Sequence, residues 1–143
     1  MDTKRFVIGT LAGGIVMYLV GYLIWGLLLA DFFAANAGSA TGVARETNLI
    51  WAVVLGTFSL AALVTLAVGS QAGPSTILGG FKIGAIVGFL VWFGVDFIRY
   101  GFMNVSNLTA TMVDPLLEIV RTGIGGAIIA AVLGRFAKRE EGA

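Results

Sequence analysis

The stretch TILGGFKIGAIVGFLVWFGVDFIRYGFM, residues 76–103, decides how the rest of the chain is read. It is long and apolar enough to cross a bilayer, whose hydrocarbon core takes about 20 residues of helix. It nevertheless carries Asp96 and Arg99 towards one end and Lys82 towards the other. A charge inside a span is costly and persists where it is paired or faces a polar cavity. The chain must therefore supply partners for Asp96 and Arg99 from within the membrane.

Such partners lie in the next apolar stretch, where Glu118 and Arg121 interrupt an otherwise hydrophobic run. The positions 96 and 121 add to the same total as 99 and 118. If the two stretches form an antiparallel hairpin turning near position 108, Asp96 lies level with Arg121, and Arg99 level with Glu118. The expectation is two crossed interhelical ion pairs, with Asp31, Trp92 and Asp114 at the rim of the same polar cluster. Asp114-Pro115 reads as an N-cap followed by proline at the first helical position, where the missing N–H costs nothing.

Composition places the whole chain in the bilayer. Of 143 residues, 58% are hydrophobic and 12% charged, against about 25% charged in soluble domains; mean hydropathy is +0.97. With no Cys and no His, disulfides, thiolate chemistry, the commonest general base and the commonest metal ligand are all missing. No catalytic residue, metal or cofactor is expected. The net charge of +1 gives a nucleic-acid partner no electrostatic support. The bilayer is the first partner.

The fold class expected is all-α, a four-helix membrane bundle in one domain over residues 1–143, with spans at about 6–30, 49–68, 76–103 and 115–136. The first apolar run is too long for the h-region of a signal peptide, so it reads as a retained helix. Lys4, Arg5, Lys82, Arg135, Lys138 and Arg139 fall on one side of this arrangement and Arg45 on the other. The positive-inside rule then puts both termini in the cytoplasm. Asp31, Asp96, Arg99, Asp114, Glu118 and Arg121 gather in the outer half.

An internal repeat subdivides the bundle into two tandem helical hairpins in parallel orientation. Thr10-Leu-Ala-Gly-Gly matches Thr76-Ile-Leu-Gly-Gly, and Gly21-Tyr-Leu-Ile-Trp25 matches Gly88-Phe-Leu-Val-Trp92, with Asp31 and Asp96 following. The alternative is that glycine- and aromatic-rich spans resemble one another by composition alone.

Helical spacing sorts the remaining signals. Asp114, Glu118, Arg121 and Gly125 form one stripe of the last helix, and Trp92, Asp96, Arg99 and Met103 form one of the third. Gly80, Gly84 and Gly88 make a run of small residues four apart, which favours close helix packing, either within the monomer or against a second copy or a partner subunit. Lys82 reads as a snorkelling side chain. Trp25, Trp51 and Tyr100 read as interface anchors, whereas Trp92 lies deep enough to pack inside. The polar segment 31–48 is read as a connector, with a lid over the cluster as the alternative. Asn107-Leu-Thr is an N-x-T sequon of low specificity.

Gly79-Gly80, Gly84, Gly88, Asp96-Phe-Ile-Arg-Tyr-Gly-Phe, the link through Asn107-Leu-Thr and Val113-Asp114 together resemble a family of small bacterial four-span membrane proteins. These are known mainly as domains of unknown function, of the DUF1761 and DUF2177 type. The resemblance covers about 60 residues, and it implies four spans in a bacterial cytoplasmic membrane without implying any catalytic residue.

Two functions compete. The charged cluster forms an outward pocket that binds or transports a small anionic or lipid-like ligand, or the protein is a structural subunit of a larger complex or homo-oligomer in which the charges are interhelical locks. An enzyme is the weakest reading, because each carboxylate has an arginine at its own expected depth and neither is set up as a proton donor.

Overall fold

The computed structural model describes residues 1–71 and 76–141, with side chains up to residue 135. The side chains of Lys138 and Arg139, which entered the sequence reading, lie outside the described residues. The fold is an all-α bundle with, among the described residues, four helices long and apolar enough to cross a membrane: Thr3–Leu28, Ile50–Gly69, Ile77–Phe102 and Leu108–Arg135.

Three of the helices begin where a side chain takes an orphan backbone N–H, whereas the leucines ahead of Ala30 and Ile50 supply no such cap. Asp2 accepts from Arg5 N at 2.8 Å to open α1 (Thr3–Gly21). Beyond Gly21 the helix widens into a π-helical segment, Tyr22–Leu28, closed by Leu29 N donating to Ile24 O at 2.8 Å. A short helix α2 (Ala30–Ala35) follows, and then α3 (Ile50–Gly69). Thr76 caps α4 (Ile77–Phe102) by accepting from Gly79 N at 3.0 Å.

The last helix, α5 (Leu108–Glu141), starts seven residues before the expected position. Asn107, not Asp114, is its cap: Asn107 Oδ1 accepts from Ala110 N at 3.0 Å, and its carbonyl accepts from Thr111 N at 3.1 Å. Asp114 and Pro115 therefore lie inside the helix, and Pro115 is fully buried. Proline there removes one bond of the ladder, the one Thr111 O would accept. Such interior prolines are tolerated in membrane helices, whose packing neighbours compensate.

The segment after α1 is more ordered than a connector. Ala37 and Ser106 form an antiparallel bridge, Ala40 N donates to Asn104 O at 2.9 Å, and Asn107 N donates to Asn36 O at 3.0 Å. Asn107 Nδ2 adds a bond of 2.9 Å to Asn36 Oδ1. The sequon asparagine is thus both a helix cap and half of a clasp between the two non-terminal loops.

The most extensive packing joins α4 to α5, and glycine makes it possible. A Cβ on Gly84 would run into the carbonyl of Thr122, and one on Gly88 into the Thr122 side chain. Gly80 meets Gly126 and Ala130 in the same way. Gly80, Gly84 and Gly88 thus pack within the monomer, and this stripe is not open to a second copy.

The apolar core sits towards the end of the bundle that carries the termini. Met17 of α1, Ala61, Val64 and Val68 of α3, and Ile129, Ala130 and Leu133 of α5 pack there, flanked by Ile83 and Val87 of α4. Outward faces are apolar too: Leu11, Ile15 and Leu19 on α1 and Ile86 and Leu90 on α4 stand exposed at helical spacing, as expected where lipid is the solvent.

The matched glycines of the first and third spans are not used alike. A Cβ on Gly13 would meet Ile129 and one on its counterpart Gly79 only Thr76, while one on Gly14 would meet Phe58 and one on its counterpart Gly80 would meet Gly126 and Ala130. The counterparts diverge further along, since α4 continues unbroken through Trp92 and Asp96 while the first span turns π-helical at Trp25.

Candidate functional site

The polar side chains gather at the opposite end of the bundle, where the early start of α5 resets their levels. With α4 ending at Phe102 and α5 starting at Leu108, the hairpin turns near 105 rather than 108. Gly88 faces Thr122 and Gly84 faces Gly126; extended to the loop, the same register sets Asp96 opposite Asp114. Compared with the expected pairing to Arg121, this is a displacement of about 10 Å along α5.

The crossed ion pairs consequently do not form. The salt bridges among these four residues are both within a helix: Arg99 Nη1 to Asp96 Oδ1 at 3.5 Å, and Arg121 Nη1 to Glu118 Oε1 at 3.3 Å. Each pair is three residues apart, the spacing that puts two side chains on one helix face. The pairs differ in depth. Arg99 is 46% exposed beside a buried Asp96, whereas Arg121 and Glu118 are 12% and 2% exposed as side chains.

Rotation explains where Arg121 goes. Thr122 is the residue of α5 that faces Gly88, and Arg121 sits about 100° round the helix from it, turned to α1. Its guanidinium carbon lies 5.4 Å from the centroid of the Trp25 ring, within cation–π range. Gly21 leaves room for the arm, since a Cβ there would come 3.3 Å from Arg121 Cδ. Gly125, on the same stripe, rests against Met17. The stripe Asp114, Glu118, Arg121, Gly125 is real, but it looks towards α1.

Trp25 is a site residue that the sequence reading assigned elsewhere. Expected to anchor at the interface, it instead donates from Nε1 to Asp114 Oδ1 at 2.5 Å. Its match to Trp92, which was expected inside the bundle, was the available signal. Trp51 and Tyr100 do face outward, at 68% and 42% exposure, and Lys82 is exposed.

A cavity of about 510 Å³ opens between these elements. Its polar lining includes Trp25, Trp92, Asp114, Glu118 and Arg121, with apolar walls from Met17, Ile50 and Val53. The volume is in the range of small-molecule sites, about 300–1,000 Å³. A smaller cavity of about 140 Å³ lies beside it, lined by Asp96, Arg99, Ser106, Thr111 and Asp114 among others. Asp96 and Asp114 thus share the lining of this smaller cavity. Asp31 joins neither cavity lining; it is exposed in the first turn of α2.

Several buried polar atoms at the site have no protein partner: Glu118 Oε2, Arg121 Nε, Trp92 Nε1 and Asp96 Oδ2. The residues of the first three line the larger cavity. A buried polar atom without a hydrogen bond costs about 1–3 kcal/mol, and three such atoms belong to residues that line one cavity. Among the described residues, no three acidic side chains are grouped so as to hold a metal ion.

No family model matches the chain, and neither a curated protein nor a solved structure does. The resemblance to small four-span bacterial proteins rests on the residues quoted for it.

Proposed function

We propose that this is a multi-pass protein of a bacterial cytoplasmic membrane, with both termini inside, that binds a lipid-like amphipathic ligand in the cavity between α1, α3 and α5. One observation supports the reading: Glu118, Arg121 and Trp92, each with a buried polar atom that has no protein partner, line a single apolar-walled cavity. An amphipath suits such walls, since its apolar part keeps to Met17, Ile50 and Val53 while its polar end meets the charged stripe. The role is binding, or the binding step of transport, without catalysis.

The competing role, a structural subunit held by glycine faces, is less well supported. Gly80, Gly84 and Gly88 are taken up by α5, and Gly9 and Gly13 by Thr65 and Ile129. What remains outside is an apolar surface that lipid covers equally well.

Native mass spectrometry of the protein released from nanodiscs made of native lipid tests the proposal. A retained adduct is expected, and it should be lost in Val53→Trp, which fills the mouth of the cavity from an exposed position. An adduct-free spectrum, or retention unchanged in the variant, would overturn it.

A further inference from the structure

The lining of the cavity also specifies the polar end of its ligand. Arg99 is matched by Asp96 and Arg121 by Glu118, each on its own helix. Among the described residues no salt bridge reaches Asp114, which accepts instead from the Trp25 indole. The stripe therefore carries one carboxylate in excess. Two of the unpartnered atoms, Arg121 Nε and Trp92 Nε1, are donors that need an acceptor. The third, Glu118 Oε2, is an acceptor on a residue 1% exposed, and it needs a donor.

We infer that the site takes a zwitterionic aminophospholipid headgroup, its primary ammonium on Glu118 and Asp114 and its phosphate oxygens on Arg121 and Trp92. The inference rests on the ligand-binding reading proposed above and names its ligand class. An anion alone would satisfy the two donors but add to the excess negative charge. A simple cation would balance the charge but leave both donors empty. A headgroup bearing both satisfies all three atoms and is itself neutral, so it enters the bilayer-embedded site without the cost of transferring a net charge. A trimethylated nitrogen would keep the charge and lose the hydrogen bonds, because it has no N–H to donate.

Short-chain lipids separate these cases. The protein, with Trp51→Phe to remove the exposed indole, is titrated in detergent micelles with dioctanoyl phosphatidylethanolamine, phosphatidylcholine and phosphatidylglycerol and with octylammonium, following the fluorescence of Trp25 and Trp92. The ethanolamine lipid is expected to bind about tenfold more tightly than each of the others, the scale of one charge-assisted hydrogen bond. Glu118→Gln should bring ethanolamine and choline lipids to the same affinity, and Arg121→Gln should weaken both. Asp114→Asn, a milder change in the same direction, gives the comparison if Glu118→Gln fails to fold by circular dichroism. Equal binding of the ethanolamine and choline lipids, or tighter binding of the glycerol lipid or of octylammonium, would overturn the headgroup assignment. If none of the four binds while Val53→Trp still abolishes the native adduct, the cavity remains a ligand site and the headgroup assignment alone fails.

Discussion

The indole Nε1–H of Trp25 donates to Asp114 Oδ1 at 2.5 Å, joining the first and last spans across 89 positions of sequence. It is made from a π-helical segment on one side and from inside α5 on the other. In a π-helix each turn holds an extra residue relative to an α-helix, so the rotation of Trp25 about the helix axis differs from what an α-helical wheel predicts. That rotation turns the ring inward, where Arg121 lies over its face.

Trp25→Phe keeps the ring and removes the donor. A hydrogen bond to a charged group contributes about 1.5–3 kcal/mol, and a loss of that size is expected in SDS unfolding from mixed micelles. Trp51→Phe, at a 68% exposed position, should shift stability by less than about 0.5 kcal/mol. Equal midpoints for the two variants would show that the indole bond contributes nothing.

Exchanging Arg99 and Glu118 (R99E/E118R) distinguishes pairs within helices from pairs between them. Crossed pairs would survive the exchange. The observed pairs would not, because it sets a carboxylate one turn from Asp96 and a guanidinium one turn from Arg121. Breaking the buried pair alone should cost about 3–5 kcal/mol. The exchange E118R/R121E keeps a pair on one face of α5 and should cost less. Stability of the first double variant equal to that of the parent would contradict the geometry.

Glycine substitutions test the α4–α5 seam. Gly84→Ala and Gly88→Ala each put a methyl into Thr122, and overpacking of this kind costs about 1–3 kcal/mol. Gly94→Ala, where a Cβ meets nothing within 4 Å, should be neutral or slightly stabilising. The first two are expected to lower the unfolding midpoint without changing oligomeric state in light scattering. A dimer that dissociates in Gly84→Ala would return the stripe to an intermolecular role.

The clasp between the non-terminal loops is open to crosslinking. Ala37 and Ser106 are bridge partners, within the Cα separation that a disulfide spans, about 4.4–6.8 Å. With no native Cys in the chain, A37C/S106C should oxidise to a monomeric crosslink seen as a shift on non-reducing gels. Failure to crosslink under oxidant would mean that the two loops do not pair as described.

Much of the fold was legible because membrane helices advertise themselves by composition. The four apolar runs, the hairpin of the third and fourth spans, the inward Trp92 and the buried Asp96 and Glu118 all follow from the cost of exposing charge, or leaving backbone unpaired, in hydrocarbon. The start of α5 was harder to place. Asn107 and Asp114 are both good caps, and Pro115 strengthened the case for the second. The choice turned on the loops: Asn107 is held by Asn36, a contact with a segment 71 positions away. One misplaced cap then moved every level on α5 and produced a symmetrical but incorrect pairing.

The amino-acid sequence by itself determined that four helices of membrane length must pack with their charges inward, because residue type alone sets the transfer cost of each side chain. Only the tertiary structure decided which charges meet. That depended on where α5 begins and on the π-helical turn at Trp25, and each of these shifts the level or rotation of a whole helix face without changing its composition.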